Sequence, residues 1–120
     1  MTNYQFGELV LVAFLFAGAA ETKRRTGLVL LDTGDEDMII AKITSQIPRT
    51  AFDVENRELQ QAGLNRPSAV RLHKLNTLQK SLVEPRLGIL TPDDLAQVRE
   101  RIQQIWYSIS TGKKKYLPKF

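Results

Sequence analysis

The sequence contains no cysteine and only one histidine, His73. The first absence excludes a disulfide framework and a thiolate metal site, and the second excludes a zinc site built from several histidines of one chain. A lone histidine also provides no hydrolase triad. The carboxylates lack the spacing of a calcium loop, and the seven glycines are too scattered to form a phosphate-binding glycine loop. We therefore expect neither a bound metal nor a cofactor.

The apolar segment at residues 9–20 is too short to cross a membrane, which takes about 20 residues in a helix. The residues before it include Glu8 but no lysine or arginine, whereas a signal peptide begins with positive charge. We therefore interpret this segment as a core strand, and we expect a cytoplasmic protein with no membrane partner.

The composition is that of a soluble globular protein, with 42% hydrophobic and 25% charged residues. A chain of 120 residues is long enough for one domain with a real core, and we assign residues 1–120 to a single domain. Seventeen lysines and arginines against thirteen acidic residues give a net charge of +4. This excess permits a polyanionic partner but does not require one.

Hydrophobic patterns predict an α+β fold, a small and strongly bent antiparallel sheet with a C-terminal helix. Asp53 is a good N-cap for a short helix over residues 54–62, and Thr91 followed by Pro92 predicts the start of the last helix. The strand at residues 68–78 changes its spacing near His73, which indicates a β-bulge. The other strands are expected at residues 8–16, 26–31, 38–45 and 83–90, the last of them an edge strand or a kinked strand because of Pro85. The buried stripe of the last helix is predicted to contain Leu95, Val98, Ile102, Ile105 and Trp106, and residues 108–120 form a basic tail.

Three segments carry side chains that could bind an anion. Lys23, Arg24 and Arg25 precede the second strand, next to a small-residue loop that could be mobile. An arginine beside a hydroxyl can hold a phosphodiester and stabilise the charge that develops when a 2′-hydroxyl attacks it. Each segment on its own is equally well explained as a solvated surface. The second segment contains Thr44, Ser45 and Gln46, and the third segment contains Arg71 and Lys74.

The order of these segments resembles the PemK/MazF family of toxins from type II toxin–antitoxin systems. The resemblance covers about residues 6–106, in order and with compatible gaps. Single blocks are unspecific, but the ordered set is fairly specific. The blocks that carry the resemblance are residues 6–12, 23–30, 43–46, 62–72 and 88–95.

The resemblance implies an SH3-like barrel of the PemK/MazF/CcdB type with a C-terminal helix, working as a homodimer and neutralised by a small cognate antitoxin. It implies a sequence-specific, metal-independent endoribonuclease that cuts single-stranded RNA, often mRNA. Carried over to this chain, the catalytic residues are Arg25 and Thr44. The resemblance assigns RNA binding to Lys23, Arg24, Ser45, Gln46, Arg71 and Lys74.

One position departs from the family pattern, because Thr26 follows Arg25 where relatives usually have proline. Proline fixes φ and would set the direction of the backbone at Arg25. Thr26 therefore favours a rival interpretation, an inactive module of the same fold that binds nucleic acid or protein. A third interpretation is a toxin of this fold that targets DNA gyrase. The combination of Arg25 and Thr44 argues against it, because a purely protein-binding surface needs neither residue.

Overall fold

A computed structural model of the chain describes residues 3–15, 22–45, 50, 52–56 and 68–113. These residues form six strands, one 3-10 turn at Lys80–Leu82 and one long helix, α1, at Pro92–Thr111. The strands are β1 (Glu8–Leu15), β2 (Thr22–Asp32), β3 (Asp37–Thr44), β4 (Asp53–Asn56), β5 (Ser68–Gln79) and β6 (Val83–Ile89). Strands β1 and β3 are rich in β-branched or aromatic residues, which favour extended structure.

The strands form one antiparallel sheet in the order β4-β5-β3-β2-β1-β6. This architecture confirms the predicted antiparallel sheet with a C-terminal helix. Within the described part of the chain the sheet is open, because β4 and β6 form its two edges. The edge position of β6 confirms the prediction made from Pro85, since proline cannot donate to a β-ladder.

The two faces of the sheet carry separate hydrophobic clusters. The first cluster packs under α1 and includes Leu9, Leu28, Ile43, Val70 and the helix residue Val98. The second cluster lies on the opposite face and contains Val10, Val12, Val29, Met38 and Ile40. Burying one such valine or leucine side chain contributes roughly 1.5–3 kcal/mol, so both clusters fix the sheet strongly.

The predicted bulge in β5 is confirmed by the strand register. Lys42 pairs with Arg71, whereas the preceding residue, Ala41, pairs with Leu75. Residues 72–74 of β5 therefore have no opposite residues on β3. The extra residues shift the register around His73, where the hydrophobic spacing of the sequence changes.

Several sequence-based expectations are wrong in the described residues. The segment Asp53–Asn56 is strand β4 and not the start of a helix, and β2 begins at Thr22 instead of after a loop that reaches Arg25. The side chain of Asp53 does not cap a helix, because it accepts a hydrogen bond from the Thr50 N–H at 3.1 Å. Residues 57–62 of the expected helix lie outside the described residues, as do residues 17–21 of the expected loop and residue 16 at the end of the expected first strand.

The last helix follows its prediction at the start and departs from it at the end. Thr91 is the N-cap residue and Pro92 the first helical residue, although the Thr91 hydroxyl makes no capping hydrogen bond. Trp106 was predicted to be buried but is 67% exposed. The last helical residue is Thr111 and Gly112 is the C-cap, so residues 108–111 of the expected tail are helical. Lys113 is the last residue that the structure describes.

Candidate functional site

The polar residues of interest share one face of the sheet. Along β3, Lys42 and Thr44 alternate with Ala41 and Ile43, which belong to the first cluster under α1. Side chains two residues apart point to the same face of a strand, so Lys42 and Thr44 lie on the face of Ile40 and the second cluster. This face is covered by apolar side chains at one end and by polar side chains at the other.

Arg25 lies on the same face as Thr44. Its direct partner on β1 is Val12, a member of the second cluster, and directly paired residues point to the same face. On its other side, β2 pairs with β3 through Gly27 and Lys42. The pairing of β2 with β3 ends at this pair, and Arg25 and Thr44 each lie two residues beyond it on their own strands. Arg25 and Thr44 are therefore on the same face of the sheet, next to the end of the ladder.

Strands β5 and β4 extend this polar region. Thr44 pairs with Ala69, and Ala69 pairs in turn with Glu55 on β4. In the neighbouring row, Lys42 pairs with Arg71, and Arg71 pairs with Asp53. We call this region the polar face, and it comprises Arg25, Lys42, Thr44, Asp53, Glu55, Ala69 and Arg71.

The exposure of these side chains differs greatly. Arg25 and Glu55 are exposed, and Lys42 and Thr44 are half-buried. Arg71 is only 9% exposed, and its Nε lies 3.9 Å from Oδ1 of Asp53, whose side chain is fully buried. Arg71 is therefore part of a buried ion pair beneath the surface that Arg25 and Thr44 present.

The remaining described candidates are not among the residues that define the polar face. Lys23 and Arg24 belong to β2, opposite Phe14 and Ala13. Ser45 is exposed at the bend after β3, and Lys74 is exposed in the bulge of β5. Gln46 lies outside the described residues.

His73 borders the polar face. Its ring packs against that of Phe52, with the ring centroids 5.0 Å apart. Partial burial lowers the pKa of His73 below its usual value, the nearby Asp53 raises it, and the charges of Lys74 and Arg71 lower it. The net shift is downward, which favours a neutral imidazole at pH 7.

Sequence reasoning missed the three other polar residues of the polar face: Lys42, Asp53 and Glu55. The alternation along β3 already placed Lys42 and Thr44 on one face, so Lys42 could have been found from the sequence. Asp53 and Glu55 could not, because they were assigned to a helix. No group of three or more His, Asp or Glu side chains with a geometry for metal binding occurs among the described residues.

The polar face carries side chains that can bind a phosphodiester. The exposed guanidinium of Arg25 and the hydroxyl of Thr44 are on the same face, and Lys42 lies two residues from Thr44 along β3. Guanidinium groups bind phosphate oxygens through charge-assisted hydrogen bonds, and a fixed donor can stabilise negative charge as it develops.

Residues 5–106 match the family described as PemK-like, MazF-like toxin of type II toxin–antitoxin system. The chain belongs to this family. The match covers most of the chain and includes every strand and most of α1. It confirms the family that the ordered sequence blocks indicated. No curated protein sequence matches the chain.

Solved structures of MazF toxins share the fold. The Mycobacterium tuberculosis toxin MazF-mt6 aligns with 82% of this chain and 95% of its own, at 20% identity and a TM-score of 0.64. MazF of Deinococcus radiodurans aligns with 87% of this chain and 96% of its own, at 25% identity and a TM-score of 0.66. An endoribonuclease from a mycobacterial species, in complex with its cognate antitoxin, aligns with 88% of this chain and 96% of its own, at 14% identity and a TM-score of 0.70. In this family member, no helix among the described residues is long and apolar enough to span a membrane.

Proposed function

We propose that the chain is the toxin of a type II toxin–antitoxin pair and acts as a sequence-specific, metal-independent endoribonuclease on single-stranded RNA, often mRNA. The observation that carries the proposal is that Arg25 and Thr44 lie on the same face of the sheet, each two residues beyond the paired residues Gly27 and Lys42. These two residues come from different strands and share this face only in the folded sheet. The resemblance to PemK/MazF toxins implies the same two positions as catalytic.

In the proposed reaction, the 2′-hydroxyl oxygen of one nucleotide attacks the adjacent phosphorus. The new bond joins this oxygen to phosphorus, and the bond from phosphorus to the 5′ oxygen of the next nucleotide breaks. The 2′-hydroxyl loses its proton and the departing 5′ oxygen gains one, so the products are a 2′,3′-cyclic phosphate and a 5′-hydroxyl. Arg25 stabilises the charge on the pentacovalent phosphorane or protonates the leaving oxygen, and Thr44 donates a hydrogen bond to a phosphate oxygen.

The surrounding cations and polar groups bind the RNA on either side of the cleaved bond. We assign this role to Lys23, Arg24, Ser45, Gln46, Arg71 and Lys74. Arg71 differs from the others, because its side chain is nearly buried and paired with Asp53. Its contribution is therefore expected to be positive potential beneath the surface and a fixed position for β4.

The proposed partners follow from the relatives. Deinococcus radiodurans MazF has been crystallised as a MazE–MazF complex, and a mycobacterial endoribonuclease has been crystallised with its cognate antitoxin. We propose that a small antitoxin covers the polar face of this chain, that the toxin works as a homodimer, and that it acts in the cytoplasm. An adjacent reading frame that encodes a small acidic protein would support the proposal that this chain has a cognate antitoxin.

Thr26 stands where relatives usually have proline, and this departure favours an inactive protein. The strand pairing around Thr26 supports the opposite interpretation. Strand β2 is continuous from Thr22 to Asp32, and Thr26 pairs with Leu11 in the ladder to β1. The pairing of Arg25 with Val12 already fixes the direction in which Arg25 points. The ladder therefore supplies the constraint on Arg25 that proline supplies in relatives.

The decisive experiment is incubation of a long single-stranded RNA with the purified chain in EDTA, beside the variant Arg25→Ala. We expect discrete cuts by the parent and none by the variant. Lys113→Ala removes an exposed positive charge at the far end of α1 and serves as the matched control, with cleavage like the parent. If the folded parent cuts none of a range of RNA sequences at low salt, the module that only binds becomes the better description.

A further inference from the structure

Lys42 occupies a place on the polar face that the proposed catalytic pair does not fill. It precedes Thr44 by two residues on β3, and it lies opposite Gly27 on β2 and Arg71 on β5. Residues two apart on a strand are separated by roughly 6.6 Å, so Lys42 lies one row away from Arg25 and Thr44. This distance is larger than the span of a single phosphate group.

Lys42 belongs to a row of paired residues across β3, β5 and β4, and it is the cation of this row that no carboxylate of the row balances. The row contains Lys42, Arg71 and Asp53, which together carry one net positive charge. Asp53 is fully buried and forms an ion pair with Arg71. Lys42 forms no ion pair within the described part of the chain. Like charges directly opposite each other in a sheet are destabilising, and a bound anion beside Lys42 would offset this cost.

The surroundings of Lys42 allow its ammonium group to meet a ligand. The residue is half-buried, and a lysine can cover its aliphatic stem while its ammonium group remains at the surface. Gly27 lies directly opposite Lys42 and has no side chain that could cover the lysine. A Cβ added at Gly27 would lie 2.9 Å from the Cδ1 methyl of Ile40, so the surface beside Lys42 is apolar here. The immediate neighbours along this face are thus an apolar floor on one side and Thr44 on the other.

We propose that Lys42 binds a second phosphate of the RNA, the neighbour of the phosphate held by Arg25 and Thr44. This subsite rests on the proposed function, because it extends the same polar face. With this subsite the toxin binds a stretch of RNA backbone and not one phosphodiester. The two phosphate positions set the line along which the RNA crosses the sheet. Lysine is suited to the role as a point charge, without the bidentate geometry of arginine.

Binding to a 2′-O-methyl single-stranded RNA oligonucleotide tests the subsite, because this probe lacks the attacking hydroxyl and cannot be cut by the proposed reaction. Affinities are measured over a series of salt concentrations for the parent, Lys42→Met, Lys42→Arg and Lys113→Met. Losing one phosphate contact lowers the slope of log affinity against log salt by about 0.7 for a single strand. We expect this loss and several-fold weaker binding for Lys42→Met, with Lys42→Arg and Lys113→Met close to the parent.

Cleavage kinetics separate this subsite from the proposed function. If the parent cuts RNA, we expect Lys42→Met to raise KM and to leave kcat nearly unchanged, since the lost contact is outside the reacting phosphate. A folded Lys42→Met that binds with the parental affinity and salt slope overturns the subsite even if the parent cleaves RNA. A parent that binds but never cleaves, together with weaker binding by Lys42→Met, supports the subsite and refutes the nuclease.

Discussion

Arg71 on β5 lies directly opposite Asp53 on β4, and the Nε of Arg71 is 3.9 Å from the Asp53 Oδ1. The carboxylate is fully buried, and the arginine side chain is 11% exposed. Taking two charges out of water is costly unless they compensate each other, so removing one leaves the other in an unfavourable place. The ion pair and the four residue pairs that join β4 to β5 together hold this edge strand beside the polar face.

The first prediction concerns this ion pair. We expect Asp53→Asn to lower the free energy of unfolding by about 3 kcal/mol, because Arg71 loses its buried countercharge. Glu55→Gln, two residues along the same strand and exposed, is the control and is expected to change it by less than about 0.5 kcal/mol. Urea unfolding followed by circular dichroism measures both. Equal stabilities of the two variants would show that the ion pair does not stabilise β4.

The second prediction concerns Gly7, which joins the sheet to the start of α1. Its N–H donates to the Val29 carbonyl at 2.9 Å, its carbonyl accepts from the Leu90 N–H at 3.0 Å, and its φ is +97°. A Cβ here would lie 2.6 Å from the Leu95 Cδ2. We expect Gly7→Ala to cost about 3 kcal/mol of stability, from the sum of backbone strain and overpacking.

Gly34→Ala isolates the backbone part of this cost. Gly34 has a φ of +86°, but a Cβ there would meet nothing within 4 Å. We expect this variant to lose only about 1 kcal/mol. Thermal unfolding of both variants measures the difference, and a Gly7→Ala variant no less stable than Gly34→Ala would refute the close packing against Leu95.

The third prediction concerns stability at low pH. The Asp32 carboxylate forms an ion pair with Lys80 at 2.7 Å and accepts hydrogen bonds from the N–H groups of Tyr4 and Gly34, each at 2.8 Å. These contacts lower the pKa of Asp32 from 3.8 to about 2, and the contact with Lys80 has the largest effect. Between these values the unfolded chain binds more protons than the folded chain, so stability falls as the pH falls from 3.8 towards 2.

Asp32→Asn tests this linkage. The variant has no carboxylate at this position to titrate, so its stability should depend less steeply on pH between 3.8 and 2 than that of the parent. Unfolding midpoints in denaturant at several pH values measure the slope. Parallel slopes for parent and variant would mean that another group causes the acid sensitivity.

The fourth prediction concerns which face of α1 is buried. Leu95 is 9% exposed and belongs to the first cluster, whereas Trp106 is 67% exposed. We expect Leu95→Ala to cost about 3 kcal/mol and Trp106→Ala less than about 0.5 kcal/mol of stability in the monomer. Chemical unfolding at low protein concentration compares them. A large loss for Trp106→Ala under these conditions would place its ring against the sheet.

The sequence was sufficient to predict the elements whose evidence is local. The start of α1 at Thr91 and Pro92, the edge position of the strand with Pro85 and the bulge near His73 all follow from residue type and spacing. Arg25 and Thr44 were identified through the family resemblance. Their alignment on one face requires the register of β2 with β3, which no local pattern encodes.

The failures come from tertiary context. Asp53 has the residue type of an N-cap, but pairing with β5 and the ion pair to Arg71 make it part of a strand. Trp106 continues the apolar stripe of α1, but the helix residues that pack on the first cluster are Leu95 and Val98, with Ile102 and Ile105 partly buried against it. Propensity and periodicity are weak where a neighbouring element decides the outcome.

The most direct test of the central claim is the single-turnover rate of RNA cleavage, with enzyme in excess, for the parent, Arg25→Ala, Thr44→Val and the double variant. Losing a donor that stabilises charge in the transition state costs roughly 100- to 1000-fold in rate. We expect a loss of this size for Arg25→Ala. We also expect a loss for Thr44→Val, and a combined loss smaller than the product of the two, because both residues act on the same phosphate. Folded Arg25→Ala and Thr44→Val proteins that cleave at the parental rate would contradict the account.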